Sequence, residues 1–127
     1  MSDSLAPQPA VVYKWSERPT DAPMPLLERQ RIIGEQAMIS RVHLHKGCFV
    51  PTHAHANEQF GVILSGRLKF GLGAEGSPER RFQTVGEGEV IHLPANLPHS
   101  AEAIEDTIIL DVFSPPSERT GIDAPRG

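Results

Sequence analysis

The chain has 127 residues, 39% of them hydrophobic, which is enough for one hydrophobic core and too little for a second catalytic domain. Twelve Lys and Arg against sixteen Asp and Glu give a net charge of −4, which excludes nucleic-acid binding driven by bulk charge. No apolar run approaches the roughly 18–20 residues of a membrane span, the first residues carry no secretory signal, and the single Cys48 cannot form an internal disulfide. These features fit a cytoplasmic protein with no membrane partner.

Residues 1–25 hold five prolines (Pro7, Pro9, Pro19, Pro23 and Pro25) and no periodicity. Proline fixes φ and cannot donate to a ladder, so this stretch is predicted to be an arm outside the core. Tyr13 and Trp15 are its large apolar anchors, packing on the arm's own domain or on a partner subunit. The next pieces are short and extended. Glu28 to Ile33 and Ala37 to His45 flank Gly34; in the second, Met38, Val42 and Leu44 share one face and Ile39, Arg41, His43 and His45 the other. Arg67 to Leu72 alternates in the same way, with Leu68, Phe70 and Leu72 on one side. A polar turn from Gly73 to Pro78 precedes a returning strand, Arg80 to Val85. Glu89 to Leu93, Ser100 to Ile104 and Thr107 to Phe113 complete the set, and residues 115–127 read as a polar tail. Eleven glycines and twelve prolines supply the turns. Many short strands and no helical stripe predict an all-β fold, a small antiparallel barrel over residues 26–114.

Two stretches carry chemistry. In the first, Gly47 to Gly66, His53 and His55 are two apart and present adjacent imidazoles, a ready chelate. Gln59 has the same parity, yet in a straight strand it would lie about 13 Å from His55 at roughly 3.3 Å per residue. The chain is therefore expected to turn near Ala56 to Glu58 and bring Gln59 back on a neighbouring strand beside the histidines. Glu58, one residue off, points away. In the second stretch, Gly88 to His99, the last histidine follows two proline-marked turns and opens a new strand.

These spacings resemble the two cupin motifs. Gly47, His53, His55, Gln59 and Gly66 match the first; Gly88, Pro94, Asn96 (in place of Gly) and His99 match the second. The family implies a double-stranded β-helix, the jelly-roll barrel of cupins, with a divalent metal held by His53, His55 and His99. Gln59 stands where most cupins carry Glu. That substitution, with the runs Leu93 to Ala103 and Asp111 to Pro115, is similar to the KdgF-type cupins of pectin degradation, whose metal is held by three His and one Gln. The resemblance implies conversion of 4,5-unsaturated monouronates, the products of pectin or alginate lyases, into the linear keto-uronate.

Physical chemistry points the same way. Three imidazoles and an amide are neutral, so a bound ion keeps its full charge for an anionic sugar acid and acts as a Lewis acid. The donor set does not distinguish Ni, Zn, Fe or Mn. Asp111 interrupts an apolar alternation (Ile109, Phe113), which is costly without a task; it is the general acid/base candidate. Phe113 would wall the pocket. For the substrate carboxylate, the KdgF-type pattern places an Arg at position 117; Ser117 stands there and Arg119 is the expected partner, with Arg41, Arg67 and Lys69 as substitutes. His43 and His45 read as a solvated face, His92 as lying outside the site, and Cys48 as a small packed hydrophobe. A homodimer is expected. Two further readings stay open: a cupin oxygenase using the same metal, and a non-enzymatic metal- or small-ligand-binding module.

Overall fold

The computed structural model describes residues 6–122. Among the described residues ten strands form two sheets, and β3, β5, β6, β8 and β10 carry much of the two-residue burial rhythm. In chain order they are β1 (Asp21–Met24), β2 (Leu27–Ile33), β3 (Met38–Leu44), β4 (Phe49–His53), β5 (Glu58–Ser65), β6 (Arg67–Leu72), β7 (Arg81–Gly86), β8 (Val90–Leu93), β9 (His99–Ala103) and β10 (Thr107–Ser114). One sheet has the order β1-β2-β3-β10-β5-β8 and the other β4-β9-β6-β7, with all pairings antiparallel. From β3 onward the chain crosses between the sheets at every step except β6 to β7, closing the jelly roll that the cupin resemblance implied. Among the described residues, no helix is long and apolar enough to cross a membrane.

The core lies between the sheets. Leu68 and Phe70 of β6 are buried, as are Val42 and Leu44 of β3, Ile63 of β5, Leu93 of β8 and Ile109 of β10. Cys48 joins this cluster as a free thiol, and burial pushes its pKa up. Within β10 the alternation is as expected: Ile109 and Phe113 are buried inward, while Ile108, Leu110 and Val112 form the partly covered outer face.

The two ends of the chain hold more structure than their sequences suggest. Residues 1–5 and 123–127, at the tips of the expected arm and tail, lie outside the described residues. Within the arm, residues 21–24 form β1, at the edge of the larger sheet. Pro23 is accommodated there because an edge strand needs ladder donors on one side only. Arg29, 3% exposed, forks onto Asp21 across the β1–β2 pair at 2.7 and 3.1 Å. Arg18 donates to the Arg31 carbonyl, and Gln30 donates to the carbonyls of Trp15 and Arg18, which fastens the arm to β2. Trp15 is half-buried, whereas Tyr13 remains 47% exposed beneath the Arg18 guanidinium.

Candidate metal centre

The first histidine stretch does turn, and the turn changes sheets. β4 ends at His53, His55 sits in the connection, and β5 begins at Glu58 in the opposite sheet. Gln59 then faces inward, 7% exposed, with its Oε1 3.1 Å from His55 Nε2. Glu58 points outward and pairs with His92 at 2.7 Å, which places His92 outside the site. The second stretch delivers His99 at the start of β9, in register with His53 on β4. A backbone hydrogen bond joins the two loops: Asn96 N–H donates to the His55 carbonyl at 2.8 Å. Asn96 adopts φ of 67°, a left-handed conformation that asparagine tolerates better than most side chains, which explains how it can stand at a motif glycine.

One ligand atom from each of His53, His55 and His99 lies within 4.8 Å of the other two. The ring centroids are separated by 5.7 Å (His53–His55), 4.4 Å (His53–His99) and 5.1 Å (His55–His99). Each Nδ1 faces a backbone carbonyl two residues away: Pro51 for His53 at 2.8 Å, Asn57 for His55 at 3.1 Å and Leu97 for His99 at 2.9 Å. Such a partner fixes the Nδ1–H tautomer and leaves the Nε2 lone pair free. Burial lowers the His53 pKa; the bond to the Pro51 carbonyl opposes this and the neighbouring His55 adds to it. The His99 pKa falls to about 4, chiefly by burial and secondarily through His53 and His55, against the bond to the Leu97 carbonyl. Both rings are thus neutral at neutral pH, the form in which imidazole ligates.

The contact between Gln59 and His55 adds a test of fit. Gln59 Nε2 donates to Asp111 Oδ1 at 2.9 Å, which turns its Oε1 toward His55 Nε2. With the His55 proton on Nδ1, two lone pairs face one another across 3.1 Å. A cation between them removes that conflict. The donor set of three imidazoles and an amide oxygen can therefore hold a divalent metal, and its identity is not fixed by these donors.

Asp111 stands beside this group, inward on β10. Its cross-strand neighbours are Ser40 on β3 and Gly61 on β5, two small residues that leave the carboxyl room and give it no cation. Burial pushes its pKa up to about 7, partly offset by the hydrogen bond from Gln59. Phe113, buried, sets its ring edge-on to His55 with centroids 5.7 Å apart.

Sequence reasoning missed two features of the cavity. Ser40 lines it from β3, its parity with Val42 being the available signal. The segment after β10 also folds back across it. Thr120 is 5% exposed, Ile122 packs against the core, and both line the cavity. Gly121 lies between them at φ of 100°, so close to His53 that a Cβ there would come within 1.9 Å of the ring. The remaining cavity is about 50 Å³, room for a few water molecules. Arg119, the expected carboxylate partner, is exposed and is not among the cavity-lining residues. Arg67 and Lys69 also lie outside, near Glu105 and Phe82 respectively, and Arg41 borders a separate outer cleft. The cavity wall therefore has no cationic side chain among the described residues.

The family model of the cupin domain matches residues 40–113, well over half of the chain. The chain belongs to the cupin family. The cupin barrel is similar to an RmlC-like cupin from Shewanella frigidimarina (TM-score 0.76, 20% identity, 87% of this chain and 96% of that one). It is also similar to KdgF from Halomonas sp. (TM-score 0.74, 24% identity, 87% and 97%). A third similar structure is the oxalate decarboxylase of Bacillus subtilis, a protein with Mn(II) centres (TM-score 0.74, 20% identity), of which this cupin covers 30% and which covers 85% of it. These likenesses establish the fold. No functionally curated protein matches the sequence.

Proposed function

We propose that this cupin is a metal-dependent enzyme that converts 4,5-unsaturated monouronates into the linear keto-uronate. The observation that carries the reading is the convergence of His53, His55, His99 and Gln59, with Asp111 hydrogen-bonded to the amide. The motif resemblance to KdgF-type cupins and the shared fold with KdgF from Halomonas sp. support the same class of substrate.

A divalent ion held by the four neutral donors would supply Lewis acidity and an uncancelled positive charge for a carboxylate. That charge would take the place of the guanidinium expected from Arg119, since no cationic side chain lines the cavity among the described residues. Gln59 orients Asp111. With a pKa near 7, Asp111 can both accept and return a proton at neutral pH. Ring opening moves the anomeric hydroxyl proton to the ring oxygen as the C–O bond breaks. Ketonisation then moves the resulting enol proton to the adjacent carbon. The two steps sum to an isomerisation and consume no oxygen. Phe113 closes one side of the space. A sugar acid needs more than the room now left, so Thr120 to Ile122 must swing out on binding.

Purified, metal-loaded protein should be supplied with the product of a pectin or alginate lyase. The expected result is loss of the ultraviolet absorbance of the conjugated double bond well above the spontaneous rate, with no oxygen uptake. Absence of acceleration, or oxygen consumption coupled to turnover, overturns the reading.

A further inference from the structure

The outer face of the larger sheet carries a second group of metal-competent side chains. Glu28 and His43 are direct cross-strand partners in the antiparallel β2–β3 pair. His45, two residues after His43, returns its ring to the same face, and its backbone N–H is tied to the Leu26 carbonyl at 2.9 Å. The two rings lie 4.0 Å apart between centroids, tilted by 33°. One carboxylate spans both: Glu28 Oε2 is 3.2 Å from His45 Nε2, and Oε1 is 3.7 Å from His43 Nδ1. One ligand atom from each of the three residues falls within 4.8 Å of the others.

These contacts read either as exposed His–Glu pairs or as a tridentate chelate. Exposed pairs contribute little, and a single carboxylate between two imidazoles serves each of them poorly. The backbone is what favours a chelate. β3 is paired on both sides, with β2 and β10, so the donors are held on a ladder and little ordering remains for a metal to impose. Two imidazole nitrogens and one carboxylate oxygen form a set that suits zinc-class ions; one carboxylate with no other oxygen donor does not suit calcium or magnesium. The rings are 34% and 36% exposed, so an ion can enter from solvent. Glu28 and His43 also border an outer cleft with Arg41, leaving the open coordination positions to water or a small anion.

From this geometry we infer that Glu28, His43 and His45 form a second divalent transition-metal site, on the outside of the barrel and independent of the inner one. The test is equilibrium dialysis of the full chain, stripped of metal, against Zn²⁺ at neutral pH, with bound zinc counted by mass spectrometry. The wild type is expected to hold two equivalents. His43→Gln with His45→Gln should remove one equivalent with an unchanged circular dichroism spectrum. His53→Gln with His99→Gln should remove the other, so a failure of the inner site is seen separately. If the outer double variant binds as much zinc as the wild type, the outer site is overturned. Addition of Zn²⁺ should also shift the ring resonances of His43 and His45, and unmoved resonances at saturation would overturn it equally.

Discussion

Gln59 and Asp111 are diagonal neighbours on the β5–β10 pair, joined by a 2.9 Å hydrogen bond from the amide nitrogen to the carboxylate. The bond couples the group that aims at the histidines to the group proposed to move protons. Asp111→Asn keeps an oxygen able to accept from Gln59 and removes the titrating carboxyl. Metal affinity is expected to stay within a few-fold, while turnover of unsaturated uronate falls by about 10²–10⁴. Calorimetric metal titration alongside the absorbance assay checks both. Equal loss of affinity and turnover would make Asp111 a positioning residue only.

The metal-free protein should show opposed pH dependences. Asp111, with its pKa raised to about 7, binds an extra proton in the folded state, so stability falls as pH rises from about 4 to 7. His99, with its pKa lowered to about 4, behaves oppositely: the unfolded chain binds the extra proton, so stability falls as pH drops below about 6.5. The two slopes offset each other between about 4 and 6.5. Asp111→Asn is therefore expected to exceed the wild type in stability by on the order of 2–4 kcal/mol at pH 8 and to match it near pH 4. Denaturant melts of chelator-treated protein across that range decide it.

Gly121 abuts the His53 ring, where a methyl group has no room. Gly121→Ala should lift Thr120 to Ile122 off the cavity and leave the sheets intact. Amide exchange at residues 118–122 is expected to accelerate about tenfold or more, with protection in β5 and β10 unchanged. Unaltered exchange at the tail would show that the cover does not depend on this contact.

Asn57, 5% exposed, ties the loop bearing His55 to the end of β10 through its side-chain donation to the Pro115 carbonyl. Its own carbonyl accepts from His55 Nδ1. Asn57→Asp places a carboxylate against a carbonyl and should destabilise the fold by about 1–3 kcal/mol, more than Asn57→Ala. A weaker metal affinity, on the order of tenfold, is expected with it. Chemical denaturation and metal competition measure the two effects.

Much of the barrel was legible because burial between two sheets imposes a two-residue rhythm. Leu68 and Phe70, and Ile109 and Phe113, announce their faces by alternation alone. The strand at residues 21–24 was not legible, since Pro23 argues against pairing and only the free edge beside β2 makes room for it. Arg119 illustrates the opposite limit: chain distance placed it near the motif, and the path of the backbone left it in solvent.

The sequence by itself determined the all-β class and marked His53, His55, Gln59 and His99 as candidate donors, because alternation, turn residues and motif spacing are properties of the chain as written. Tertiary structure alone decided that the turn after His55 would carry Gln59 into the opposite sheet, that Ser40 and Gly61 would flank Asp111, and that Thr120 to Ile122 would cover the cavity. The contacts at Asp111 and over the cavity join segments whose separation in the chain carries no periodic signal. Only the closing of the two sheets over a common core brings them within bonding distance.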